Sequence, residues 1–169
     1  GTITALRNLG LADHEIAATV DLIVAQRLVR RLCVACRKQE PPTQAETDWL
    51  KFYNQLAPKQ SWHAVGCAQC GQSGYRGRIG IFEVHRLREE DSDLIVNHAD
   101  EHTIRRRLRK FGTLSLLEDD LVKVADGTTS FAEIQSIGGL DYYASRPARR
   151  ARAITAVPRA AEPAPSLRP

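Results

Sequence analysis

Four cysteines, set as two Cys-x-x-Cys pairs with 30 residues between them, constrain this 169-residue chain more than any other feature. The first pair is Cys33-Val34-Ala35-Cys36 and the second is Cys67-Ala68-Gln69-Cys70. Each knuckle presents two thiolates on one side of a turn, and two knuckles supply the four ligands that a tetrahedral zinc ion takes at roughly 2.3 Å. No ligand position is left open, so the metal is structural. A redox pair needs only one such motif, and a chain of cytoplasmic composition does not keep two as disulfides. Iron held by four cysteines remains compatible with the same ligands. His63, four residues before Cys67, is a conceivable substitute ligand, but with four thiolates present it reads as a surface residue.

The metal alone does not hold the segment it closes. Ordering that loop costs on the order of 30–60 kcal/mol of gross backbone entropy, against roughly 10–16 kcal/mol from a structural zinc. Side chains must therefore pack inside it, and Trp49, Phe52, Tyr53, Leu56 and Trp62 are the expected ones. The metal's task is to staple the two ends of the loop. That places the strands expected at 27–32 and 78–84 side by side.

Local patterns outline the rest. Residues 3–10 read as the end of a helix stopped by Gly10. Asp13 is an expected N-cap, with Ile16, Val20, Ile23 and Val24 at helical spacing behind it. Alternation from Arg27 to Leu32 then reads as a strand. Gly71, Gly74, Gly77 and Gly80 imply tight turns into a second strand carrying Ile79, Ile81 and Val84. Helices follow: one opened by Asp91 or Ser92, one through Ile104, Leu108 and Phe111 that ends at Gly112, and two that begin with Ser115-x-x-Glu118 and Ser130-x-x-Glu133, both read as capping boxes. The expected organisation is a core end at 1–32, a tetracysteine insertion at 33–70, a return strand at 71–84, a helical part at 85–140 and a tail at 141–169.

Charge is uneven along this plan. Residues 145–169 carry six arginines and one acid, Glu162, together with five of the eight prolines, whereas residues 1–144 are net −1. Such a tail cannot bury enough apolar surface to offset its ordering entropy and is expected to be disordered. No apolar run approaches the roughly 20 residues of a membrane span, and no secretion signal is legible, so the expected compartment is the cytoplasm. The chain starts at Gly1 and contains no methionine, which suggests truncation at the N-terminus.

Several of these segments together carry a resemblance. Val24-Ala-Gln-Arg-Leu-Val-Arg30, then Cys-x-x-Cys, then Gly66-Cys-Ala-Gln-Cys70, then Gly74-Tyr-Arg-Gly-Arg-Ile-Gly-Ile-Phe-Glu83 resembles the C-terminal region of the type II secretion and type IV pilus-assembly ATPases. Leu114 to Ile134 is similar to the closing helices of that family, and the match covers about residues 1–138. The resemblance implies an α/β fold, the C-terminal fragment of a RecA-like P-loop NTPase domain with a tetracysteine zinc insertion and a helical end. It implies a hexamer working with inner-membrane secretion or pilus platform proteins, with ATP and Mg used by the intact enzyme. Pilus-retraction relatives generally lack the insertion, which favours extension or secretion.

The chain departs from that pattern in what it lacks. No G-x-x-x-x-G-K-[ST] phosphate cradle is present, nor the acids and histidine box of the family, and Ala5 stands where an arginine is usual. No catalytic or nucleotide-binding residue is therefore assigned, and the chain alone is expected not to hydrolyse ATP. Arg27, Arg78 and Glu83 read either as interface or nucleotide contacts or, by preference, as salt-bridged strand residues. Arg105 to Arg107 read as a solvated helix face, and Asp119 and Asp120 lack the partners that would make them catalytic. The alternatives to an ATPase segment are a stand-alone zinc-binding adaptor and a zinc-ribbon nucleic-acid binder. The near-neutral charge of residues 1–144 argues against specific nucleic-acid binding.

Overall fold

In the computed structural model, residues 1–53, 55–108 and 114–137 are described. A short helix, α1 (Thr2–Asn8), leads to α2 (Asp13–Thr19) and then to a long strand, β1 (Leu22–Leu32). The tetracysteine segment holds β2 (Lys38–Glu40), α3 (Gln44–Phe52) and β3 (Ser61–His63), with a single 3₁₀ turn at Ala68–Cys70. Strand β4 (Tyr75–Arg86) returns, and helices α4 (Glu89–Val96), α5 (Glu101–Leu108), α6 (Leu116–Ala125) and α7 (Phe131–Ser136) close the order.

The expected neighbours are neighbours. β1 and β4 form an antiparallel ribbon from the Leu22–Arg86 pair to the Leu32–Tyr75 pair, with a bulge between Arg30 and Leu32. The strand starts earlier than the helical spacing of Ile23 and Val24 implied. Those two β-branched residues lie opposite His85 and Val84, because pairing with a long partner strand overrides a four-residue apolar period. The helix before them ends at Thr19.

The ribbon joins two cores. At one end Ile3, Ile16, Leu87, Ile95, Ile104 and Leu108 pack together. Towards the cysteine end, Val29 and Ile81 of the ribbon meet Leu50 of α3, Leu116, Leu117, Leu121 and Val124 of α6, and Phe131 and Ile134 of α7. Period-2 alternation places these ribbon residues on one face. The other face carries Leu22, Val24, Leu28, Phe82 and Val84, all exposed.

The helix starts divide into expected and unexpected. Ser115 and Glu118 form the reciprocal box: the Glu118 N–H donates to Ser115 Oγ and the Ser115 N–H to Glu118 Oε2. Ser130 accepts the Glu133 N–H, but Glu133 turns away to β1, so that box is half made. α4 starts at Glu89, and Asp91 serves it from inside by accepting the Arg88 N–H. Asp13 likewise lies inside its helix; it pairs with Arg7, whose hydrogen bonds hold its carboxyl below the usual range. α5 is described to Leu108, and the expectations at Phe111, Gly112 and the tail lie outside the described residues.

Inside the insertion the aromatic expectation holds in part. The Trp49 and Tyr53 rings meet at a 60° tilt and pack on the core, with the Trp49 ring edge-on to Phe131 at 5.0 Å. Phe52 and Leu56 are exposed instead. Leu50, not singled out from the sequence, is the insertion's buried anchor at 1% exposure. Trp62 lies under the Arg37 guanidinium, 4.4 Å from its ring centroid, and against Gly127.

Candidate metal centre

The two knuckles meet at the end of the ribbon. Cys33 follows the last residue of β1, and its N–H donates to the Gly74 carbonyl just before β4. The first turn is closed by the Cys36 and Arg37 N–H groups on the Cys33 carbonyl, and the second by Cys70 and Gln72 on the Cys67 carbonyl. Gly74 takes a left-handed φ of 75°, and a Cβ there would lie 2.6 Å from that of Ala64, so only glycine fits this crossing.

The four sulfurs lie within 4.8 Å of one another. Cys33 and Cys67 are 3.9 Å apart, Cys36 and Cys70 3.9 Å, and Cys67 and Cys70 3.8 Å. A tetrahedron with bonds of roughly 2.3 Å has an edge of about 3.8 Å, so these spacings fit one metal ion of zinc's size. Sulfurs joined as a disulfide would stand about 2 Å apart. The N–H groups of Cys67 and Gly74 both donate to the Cys70 sulfur at 3.2 Å. Burial pushes the Cys70 thiol up, but those donors and the neighbouring sulfurs more than offset it and leave it lowered to about 6. Burial, reinforced by the other sulfurs, pushes Cys36 up to about 11. A cation among the four sulfurs would relieve that opposition, because the ligands it takes are thiolates. A metal ion held by all four sulfurs would have no open position for substrate, so its role there would be to brace the chain.

His63 is not at this centre. It is half-buried on β3, with Nδ1 4.0 Å from Glu46. Arg27 and Arg78 are both exposed, and neither forms an ion pair among the described residues, so the salt-bridge reading does not hold for them. Glu83 is buried; it bonds His85 Nε2 at 2.7 Å and receives the Leu116 N–H. Asp119 receives the Phe82 N–H, fixing α6 to β4, and pairs with Lys123.

A second set of contacts clasps the same end of the ribbon from the α6–α7 turn. Around the bulge, the Leu32 N–H donates to the Thr128 carbonyl and the Arg30 N–H to Glu133 Oε1. The Arg30 side chain reaches Glu133 Oε2 at 2.7 Å and covers the Tyr75 ring at 4.1 Å. Thr129 donates to the Arg30 carbonyl, Tyr75 bonds Ser130, and Arg37 donates to the Gly127 carbonyl. Spacing along the sequence does not forecast these contacts, whose partners lie far apart in the chain, up to 103 residues for Arg30 and Glu133.

A two-stranded ribbon ending at a four-cysteine cluster that could hold a metal ion, and clasped by α6 and α7, defines a class, a mixed α/β module with a tetracysteine knuckle pair. The particular family follows from comparison with known proteins. The model of a family described as "Type II/IV secretion system protein" matches residues 1–136, and the chain belongs to that family. It is similar to type II secretion system protein E of Aeromonas hydrophila, with 38% identity over 135 residues, covering 79% of this chain and 26% of that protein. To the type IV pilus assembly ATPase PilB of Myxococcus xanthus it is 34% identical over 136 residues, covering 79% of this chain and 24% of that protein. The chain thus spans about a quarter of the length of the curated relatives it matches. No helix among the described residues is long and apolar enough to cross a membrane.

Proposed function

We propose that this chain is the C-terminal structural module of a secretion or pilus-assembly ATPase, with zinc held by Cys33, Cys36, Cys67 and Cys70. The observation that carries the reading is the four-sulfur cluster joining β1 and β4 in a chain similar to these ATPases along residues 1–136. Zinc would fix where the strands leave and re-enter, so that a working motor keeps its β1–β4 register under load. The exposed face of Leu22, Val24, Leu28, Phe82 and Val84 would seat on the RecA-like core of the same enzyme, since burying such a strip is favourable by roughly 25 cal/mol per Å². Arg27 and Arg78, exposed and without ion pairs among the described residues, would reach a neighbouring subunit in a hexamer. The module would work in the cytoplasm at the inner-membrane platform that ATP hydrolysis drives, ATP and Mg being bound elsewhere in the intact enzyme.

The test has three readouts. Elemental analysis of the purified chain is expected to give one zinc per chain, and ATP turnover by the chain alone is expected to be at background. Joined to a relative's catalytic part, the chain is expected to enter a hexamer that hydrolyses ATP. Salt-sensitive DNA binding without hexamer entry would instead favour the nucleic-acid reading. Neither behaviour would favour an adaptor.

A further inference from the structure

Asp120 is the residue that the module described above does not explain. It lies on α6 one turn after Leu116 and one turn before Val124, on the stripe that faces the ribbon. It is fully buried, and among the described residues neither carboxylate oxygen has a hydrogen-bond donor. An ionised carboxylate without a partner in an apolar core is among the most costly groups to bury.

Its charged surroundings do not help. On its own helix, Asp119 adds a like charge, and the Lys123 ammonium is already bonded to Asp119. From α7, Glu133 adds a second like charge, and its partner Arg30 of β1 is turned to it. Of the strands packed against α6, β4 carries Glu83, which is bonded to His85, and β3 carries His63, which lies beside Glu46 of α3.

We infer that Asp120 makes the seat of α6 and α7 on the ribbon a proton-sensitive latch, closed while the carboxyl keeps its proton and loosened when that proton leaves to solvent. Burial first, then the two neighbouring carboxylates, push Asp120 up to about 7 against the partial pull of Lys123. The sign follows. The closed state holds the proton to higher pH than the open state, where the carboxyl titrates as an ordinary aspartate. Stability from this group is complete below about pH 4, is lost as pH rises to about 7, and is flat beyond. Loosening α6 also withdraws Glu133 and Thr128 from the bulge in β1, so the clasp beside the metal centre opens with the latch. The inference stands whether or not the ATPase reading does.

The experiment compares the full chain with its Asp120→Asn variant, both zinc-loaded, at matched pH from 5 to 8. The readouts are amide exchange in α6 and α7 and the unfolding midpoint. The ratio of wild-type to variant opening is expected to rise by roughly two orders of magnitude across that range. Comparing the two at each pH cancels the intrinsic pH dependence of exchange and the titration of other groups. Asp120→Ala removes both oxygens and is expected to show the same pH-dependent gap, which keeps the test open if the amide does not fold. Carbon-13 titration of the wild-type Asp120 carboxyl is expected to show a midpoint near neutrality. A gap that stays constant from pH 5 to 8, or a carboxyl that titrates near 4, would overturn the latch.

Discussion

Replacing Glu133 with alanine tests whether the C-terminal helices do more than cover the ribbon. Glu133 is buried, and Oε1 accepts the Arg30 N–H at 2.9 Å. That N–H lies at the bulge, where the ladder is interrupted. Removing the acceptor leaves a backbone donor unmet, at a cost of about 1–3 kcal/mol. The second contribution is smaller, because the Arg30 side chain is 53% exposed; solvent screening brings its pairing to about 0.5–1 kcal/mol. A small gain offsets part of the loss, since Asp120 is relieved of a like charge. Glu133→Ala is thus expected to cost about 3 kcal/mol, seen as a drop of roughly 10 °C in Tm for a chain of this size. Glu133→Gln keeps a carbonyl acceptor for the Arg30 N–H and is expected to lose about 1 kcal/mol. Calorimetry on Glu133→Ala in an Arg30→Ala background isolates the backbone bond, because Arg30→Ala retains its own N–H. Most of the Glu133→Ala cost should survive there. If it disappears, the side-chain pair carries the contact and the account of the bulge is wrong.

Other changes probe the remaining joints. Cys67→Ser is expected to lose the zinc and the exchange protection of residues 38–63, while α6 and α7 keep theirs through Val29, Ile81 and Ile134; zinc retained at one per chain would refute the ligand set. Gly127→Val forces a left-handed φ of 74° and a Cβ 2.8 Å from three atoms of the Trp62 ring, and should cost about 3 kcal/mol in denaturant unfolding; an unchanged midpoint would show that Trp62 is not seated there. Ser115→Ala removes the cap of α6 and should cost about 1 kcal/mol, read from the same curves.

Much of this architecture is written locally. The cysteine spacing contains the four-sulfur cluster, and from it the side-by-side strands. Ser115 and Glu118 mark a helix start because their bonds reach three residues. What escaped depends on distant partners. Ile23 and Val24 suit a helix face as well as a strand, and only pairing with β4 decides between them. Phe52 and Leu56 look like core residues by type, yet Leu50 takes the inward position on α3. Asp120 reads as one of two acids without a catalytic partner until its place between Leu116 and Val124 is counted at four-residue intervals. That count was the available signal, and it is weak because an acid on a core stripe is uncommon. Glu133 is the opposite case: its place in a capping motif was legible, but its main partner lies 103 residues away.

The ribbon also has a consequence for how the chain is made. Tyr75 pairs with Leu32, so β1 leaves the ribosome some forty residues before its partner exists, and closing that span costs entropy that grows with its length. Until then β1 is a long, partly apolar strand with both edges bare, the kind of segment that pairs with the wrong neighbour. A zinc ion captured as Cys67 and Cys70 emerge would bring the start of β4 within reach of the end of β1 in a single step. Zinc supply during synthesis would then set the yield of folded protein, and starvation would appear as aggregation of new chains while those already folded kept their shape.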